Sequence, residues 1–406
     1  MNKKHVGAWA LFDFANSIFP AVITTAVFSL FYAGVVVGND NGQGDWWWGR
    51  AISLSALIVA ATAPLLGAIA DRGGGRKRFM LFYVALCLVG VAMMSTLGPG
   101  MVVQGFIIFV VANVGFESAL VFYNAYLPDI APPEKQGRVS GLGFGVGYLG
   151  SAIGLVLVLP FALAEQYEVV WFMVAGFFLL FSVPAFLFLP ADEKGDMTVP
   201  EAARWGLTNF KTIVGEVWRL RELRNFLIAY FFFIDGVLTV IVMAGRIAEE
   251  TFGFDQTGVI VLFLIVQFSA LIGAFSFAKP TDRWGPKKVL TVVLIGWIFV
   301  GIAAFFIQDP TVFYVMAVFA GLGLGSVQAA SRSFMASLIP DGKEAEMFGF
   351  YALCGRSSSV LGPFLFGLVT LVGGGNQRPG FLMLAGLFAL GLFLLQRVRD
   401  PRAATA

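Results

Sequence analysis

Asp71-Arg72-Gly73-Gly74-Gly75-Arg76-Lys77 and, 211 positions later, Asp282-Arg283-Trp284-Gly285-Pro286-Lys287-Lys288 are two copies of one motif: Asp-Arg-x-Gly followed by basic residues. Each copy stands between two long apolar runs. A second pair lies further along, Leu127-Pro128-Asp129 and Ile339-Pro340-Asp341, 212 positions apart. Asp13 and Asp235 make a third, each in an aromatic-rich run. Their offset of 222 is larger because the first half has the longer loop between its first two runs. The chain therefore reads as a duplication with both copies in the same topology.

The flanking runs set the fold class. Apolar stretches near 8–37, 47–70, 79–98, 101–127, 140–163, 169–190, 226–248, 257–279, 288–307, 311–338, 347–372 and 379–397 each reach the roughly 20 residues that a spanning helix needs. That makes twelve spans, numbered 1 to 12 in order. They are too long for barrel strands. With 58% apolar residues and 13% charged, no soluble core hides the apolar surface, and disorder is excluded as well. The expected fold is an all-α membrane protein of two pseudo-symmetric six-helix bundles, 1–190 and 226–406, joined by a linker at 191–225.

Lys3-Lys4-His5 before an apolar run resembles a secretion signal, but the run continues to about Val37, so an uncleaved first span is expected. The linker side and both termini carry 22 Lys and Arg; the other side carries three, Arg50, Arg246 and Arg378. By the positive-inside rule the termini are cytoplasmic. In the linker, Thr198 and Glu201 read as a capping box with Pro200 in the first turn. Trp205, Phe210, Ile213, Val214, Val217 and Trp218 then give one amphipathic helix, expected on the inner membrane face. Trp46-Trp47-Trp48, closing the outer loop 39–48, read as an interfacial aromatic belt.

Several chemistries fall away. The only histidine is His5, and Cys87 and Cys354 sit in apolar runs, so neither a metal site nor a disulfide framework is suggested. No Walker motif and no basic-aromatic nucleic-acid surface occurs, and no cofactor is expected. Gly145-x-Gly147-x-x-Gly150 matches a dinucleotide fingerprint, but it lies in a span without the required strand. Gly137, Gly141 and Gly145 have the small-xxx-small spacing of tight helix packing. Gly42-Gln43-Gly44-Asp45 lies in a loop, and Gly355-x-Ser357-x-Ser359 has no histidine partner, so a hydrolase reading of either is rejected.

Five ionisable residues fall inside spans: Asp13, Glu117, Asp235, Arg332 and Arg356. Each costs at least about 2.5–3.5 kcal/mol there, which makes each a functional candidate or half of a static buried pair. Asp13 shares a face with Asn16, Glu117 with Asn113 and Asn124, Asp235 with Thr239, and Arg332 follows Gln328 by four; Arg356 precedes Ser357-Ser358-Ser359. Guanidinium groups suit a carboxylate or phosphate, and carboxylates suit an amine or a proton. At the motif loops, Asp71, Arg72, Arg76, Asp282 and Arg283 are expected to form a cytoplasmic gate, each acid facing a helix N-terminus or an arginine.

Twelve spans with Asp-Arg-x-Gly-basic after spans 2 and 8 resemble the major facilitator superfamily. Trp9-Ala10-Leu11-Phe12-Asp13-Phe14-Ala15-Asn16-Ser17, Tyr123-Asn124-Ala125-Tyr126-Leu127-Pro128-Asp129 and Asp235-Gly236 resemble its vacuole-effluxer-like branch, which includes fungal autophagy-related amino-acid effluxers. Gly75 stands where the superfamily loop usually has a basic residue, and span 5 lacks the Gly-Pro of drug antiporters. The resemblance implies a secondary transporter, not an enzyme. It is expected to move a small polar metabolite, amino-acid-like, by alternating access, with a proton as candidate co-substrate. Asp13, Asn16, Glu117, Asn124, Asp235, Gln328, Arg332 and Arg356 are the candidate binding residues. A monomer in the bacterial inner membrane, contacting lipid, is expected. The competing readings are an exporter of lipid-like or drug-like amphiphiles, a non-transporting receptor and an intramembrane enzyme.

Overall fold

The computed structural model describes residues 1–38, 42–192, 194–358 and 361–401, with the backbone alone at Gln256. The first residues of the outer loop, Ser359 and Arg402 lie outside these. Among the described residues every regular element is helical. Twelve helices are long and apolar enough to cross a membrane: Lys3–Val37, Gln43–Gly73, Arg76–Thr96, Val102–Ile130, Pro133–Leu163, Tyr167–Phe188, Arg221–Phe252, Thr257–Trp284, Pro286–Phe306, Pro310–Leu338, Glu344–Val372 and Arg378–Gln396. They match the twelve apolar runs in order. Most overrun them, because a backbone hydrogen-bond ladder continues past the point where side chains turn polar.

Span 1 is regular α-helix over Lys3–Asn16 and again briefly over Phe28–Phe31. Pro20 has no N–H to give to the carbonyl of Asn16, so the ladder breaks there. It resumes as a wider π-turn over Phe19–Ala26, in which the Val27 N–H bonds the Val22 carbonyl at 2.8 Å. Asp13 and Asn16 therefore sit at the end of a regular helix beside an irregular one, a place where functional groups are common. Span 11 comprises two helices, Glu344–Ser358 and Leu361–Val372.

The linker differs from its sequence reading. It holds two short helices, Val199–Thr208 and Phe210–Arg219, parted at Asn209, whose side-chain amide donates to the Trp205 carbonyl at 2.9 Å. The apolar stripe is only partly covered: Ile213 and Val217 are buried, whereas Phe210 and Trp218 stay 40% and 59% exposed. Ala202, Gly206, Ile213 and Val217 are buried, with Gly206 close to Leu65 and Ile69 of span 2. Glu201 does reach back to accept the Thr198 N–H at 2.9 Å. That bond and the Thr198 hydroxyl hold the Glu201 carboxyl below its ordinary range.

By packing the chain divides into two units. The first comprises Met1–Ile130, Val146–Phe210 and Asp341–Gly349; the second comprises Ala131–Gly145, Lys211–Pro340 and Phe350–Ala406. In the first, span 3 packs along span 4 and span 1 along span 6. Gly150 of span 5 lies so close to span 1 that a Cβ would stand 2.2 Å from the Phe14 carbonyl oxygen. The glycine that looked like part of a nucleotide loop is thus a helix crossing. In the second unit span 8 packs along span 10, and span 12 along spans 7 and 9. There Gly137 and Gly141 lie against Thr281 and Ala278 of span 8.

Candidate functional site

The first motif loop is bonded to the start of the helix Glu344–Ser358 within the first unit. Asp71, with its side chain 3% exposed, accepts from the N–H groups of Ala345 (3.1 Å) and Glu346 (2.8 Å). These belong to the first turn of Glu344–Ser358, where donors have no acceptor in their own helix. Arg76 lies among three carboxylates, Asp129 at 3.1 Å, Glu344 at 3.6 Å and Asp71 at 3.9 Å, and also donates to the Ala125 carbonyl. In the second unit Asp282 repeats the pattern. It accepts from the Arg138 N–H at 3.2 Å and pairs with the Arg138 guanidinium at 2.8 Å, near the start of the helix Gln136–Leu163.

Two residues assigned to this group point elsewhere. Arg72 lies 3.6 Å over the Trp205 ring of the linker, and Arg283 is exposed. Gly75 explains part of this: the extra glycine delays the basic pair, so Arg76 reaches the acids. The loop is also tied from behind. Asp192 accepts from the Lys77 N–H (2.9 Å) and the Tyr126 hydroxyl (2.6 Å), while the Lys77 ammonium donates to the Leu189 carbonyl at 2.7 Å. Sequence reading missed Arg138, Asp129 and Glu344 as members. Asp129 was visible in the repeated Leu/Ile-Pro-Asp, whereas Arg138 and Glu344 only begin helices and carry no spacing signal.

Four intramembrane candidates belong to the first unit. Asp13, Asn16 and Glu117 are buried and Asn124 is half-buried. Trp9 and Tyr123 bond each other reciprocally: the indole N–H donates to the Tyr123 carbonyl and the phenol to the Trp9 carbonyl, both at 3.0 Å, with the rings stacked at 4.6 Å. Phe12 stacks on the same tyrosine at 4.7 Å. The two branch-like stretches are therefore one packing unit, holding Asp13 and Asn124 on adjoining helices. Ser17 donates to the Asp13 carbonyl, and the Asn113 amide donates to Ser55 at 2.7 Å. Glu117, one turn from Asn113, is in electrostatic range of Cys87. Among the described residues the buried Asn16 amide nitrogen has no partner.

The other four belong to the second unit. Arg332 is buried and spoken for. It donates to the Ser140 hydroxyl (3.0 Å) and carbonyl (2.9 Å) and covers the Phe144 ring at 4.1 Å. Asp235 is fully buried; one oxygen accepts the Gly362 N–H at 2.8 Å at the start of Leu361–Val372. Gly362 is required there, since a Cβ would stand 1.9 Å from Thr239 Oγ1. The other oxygen of Asp235 has no partner among the described residues. Tyr230, five residues earlier, stacks on Tyr351 at 4.2 Å and is in electrostatic range of Arg356. Arg356 and Gln328 are half-buried. The sequence offered no signal for Ser140, Tyr230 or Tyr351, which resemble the many other polar and aromatic residues of the spans.

A buried acid with one unpartnered oxygen, a half-buried guanidinium and two stacked phenols thus give this unit polar groups of both charges within its spans. Among the described residues no group of three or more metal-ligating side chains occurs.

Comparison with known proteins gives concordant results. The family model described as "Vacuole effluxer Atg22 like" matches residues 50–406. The chain is 30% identical to the "Uncharacterized MFS-type transporter YxiO" of Bacillus subtilis, over 98% of this chain and 95% of that one. It is 24% identical to autophagy-related protein 22-1 of Aspergillus niger, over 98% and 79%. The human organic anion transporter MFSD10 superposes with a TM-score of 0.80 at 16% identity, covering 97% and 99%. The major facilitator transporter FucP, in its outward conformation, gives 0.75 at 15% identity, covering 98% of each chain.

Proposed function

The chain belongs to the Atg22-like vacuole effluxer family of the major facilitator superfamily, and from that premise we propose that it moves an amino-acid-like zwitterion by alternating access. It is an integral multi-pass membrane protein and a secondary transporter. The observation that carries the substrate reading is the second-unit lining. Asp235 keeps one oxygen without a partner, while Arg356 stands beside Tyr230, about 7.5 Å of helix rise away. An amine complements the unpartnered carboxylate oxygen and a carboxylate complements the guanidinium. Asp13, Asn16, Glu117 and Asn124 supply the lining of the first repeat, with Gln328 and Arg332 completing that of the second. Arg332 acts chiefly by holding Ser140. A proton is carried by Asp235, Glu117 or Asp13.

In this reading the repeats 1–190 and 226–406 rock about the linker, both termini lie on the cytoplasmic side of a bacterial inner membrane, and the protein works as a monomer. Asp71, Arg76 and Asp282 form the cytoplasmic gate, with Arg72 and Arg283 flanking it. Helix N-termini of spans 11 and 5 come to these acids only when the cytoplasmic ends of the helices are together.

The test is uptake of labelled amino acids into proteoliposomes, with and without a pH gradient. Asp235→Asn and Arg356→Gln should each abolish flux while leaving the protein folded. Unaltered flux in both variants, or no amino acid carried by the wild type, would refute the substrate reading; indifference to the gradient would remove the proton.

A further inference from the structure

The three consecutive tryptophans of span 2 do not form one belt. Trp48 turns inward, 4.4 Å from Phe109, and Trp47 meets Phe106 edge-on at 5.6 Å. Trp46 stays 57% exposed. Arg50, one turn on, lies 4.2 Å over the Trp46 ring and 5.2 Å over that of Trp47. Beside it a groove of about 570 Å³ is lined by Asp45, Trp46, Gly49, Arg50, Ser53, Leu54 and, from span 4, Phe106.

The groove is graded along the axis of span 2. Asp45 stands in the first turn of span 2 and Arg50 about 7.5 Å deeper. Leu54, 39% exposed, and then Leu57, 64% exposed, continue on the same face. Gly49 makes the hollow, since a Cβ there would meet no atom within 4 Å. An acid, then a guanidinium held flat by indoles at headgroup depth, then apolar side chains facing lipid, complements one molecule end to end. The ammonium falls at Asp45, the phosphate at Arg50 and the acyl chain along Leu54 and Phe106.

We infer that this groove seats a phospholipid of the ethanolamine type, whose head carries both a phosphate and an ammonium, from the leaflet opposite the linker. The seat is separate from the transported substrate's lining and does not rest on it.

The experiment uses the full chain, purified in detergent and stripped of lipid. Dioleoyl-phosphatidylethanolamine, dioleoyl-phosphatidylglycerol or soluble phosphoethanolamine is then added, with bound lipid counted by native mass spectrometry and melting temperature recorded. One ethanolamine lipid should be retained and should raise the melting temperature, and the other two probes should not match it. Gly49→Leu projects a side chain into the hollow from a Cβ that itself meets no atom within 4 Å, and Arg50→Gln removes the phosphate donor. Each should weaken retention about tenfold while keeping the lipid-free melting temperature. Wild-type retention in both variants, equal binding of the glycerol lipid, or equal stabilisation by phosphoethanolamine would overturn the inference.

Discussion

Replacing Asp71 with alanine takes the acceptor away from two main-chain donors at once. The Ala345 and Glu346 N–H groups lie in the first turn of a helix and bond the Asp71 carboxylate at 3.1 and 2.8 Å. An ordinary Asp cap is worth about 0.5–2 kcal/mol, and a charge at a partly buried helix N-terminus up to about 2. With the side chain only 3% exposed, the upper part of that range applies. A loss of about 2 kcal/mol moves a two-state equilibrium about 30-fold. Hydrogen exchange at Ala345 and Glu346, read by mass spectrometry on the purified protein, should therefore speed up by about that factor. Arg76 keeps Asp129 at 3.1 Å, so the rest of the cluster should stay. Asp71→Asn retains one acceptor without the charge and should fall between the two. Exchange at those two amides within about threefold of wild type in Asp71→Ala would refute the reasoning.

The second motif copy should matter less. The Arg138 side chain facing Asp282 is 51% exposed, so Asp282→Ala should cost about 1 kcal/mol or less, checked by the same exchange measurement at Arg138. Gly150→Val should lower the melting temperature, because a Cβ 2.2 Å from the Phe14 carbonyl forces spans 1 and 5 apart at about 1–3 kcal/mol. Trp205→Ala removes the ring under Arg72, worth about 0.5–1 kcal/mol, and should speed exchange across Val199–Thr208 with the spans unaffected. Glu201 has its carboxyl lowered by the Thr198 bonds, so its contribution is fully present above the unfolded value near about 4.3 and disappears as pH falls through the lower folded value. Proteolysis of the linker should accordingly begin only below about pH 4 in the wild type, and in Glu201→Gln it should be faster at neutral pH and lack that pH step.

The motif-loop contacts were half legible in the sequence. A repeated Asp-Arg-x-Gly marks Asp71 and Asp282, because a carboxylate beside a tight loop has a helix N-terminus as its natural partner. Its arginines were harder to assign. Arg72 and Arg76 are the same residue type four positions apart, yet one stacks on Trp205 and the other meets Asp129 and Glu344. Nothing in the local spacing tells them apart, since the choice depends on where a linker more than 120 residues downstream returns. The intramembrane charges show the same division. Asp235 and Arg332 announce themselves by their cost in lipid. That Arg332 is held by Ser140, whereas Asp235 keeps an open oxygen, depends on neighbours 192 and 127 residues distant in the chain.

The chain by itself determined its solvent, the number of spans and the duplication, because hydropathy and short repeats act locally and lipid tolerates few alternatives to a helix. Tertiary structure alone decided which helix face meets which. It split the linker into two short helices, made a glycine triplet into a helix crossing, and gave three neighbouring tryptophans different surroundings. The physical reason is that every face of a membrane helix is apolar, so pattern carries no direction and only close contact between backbones selects the partner.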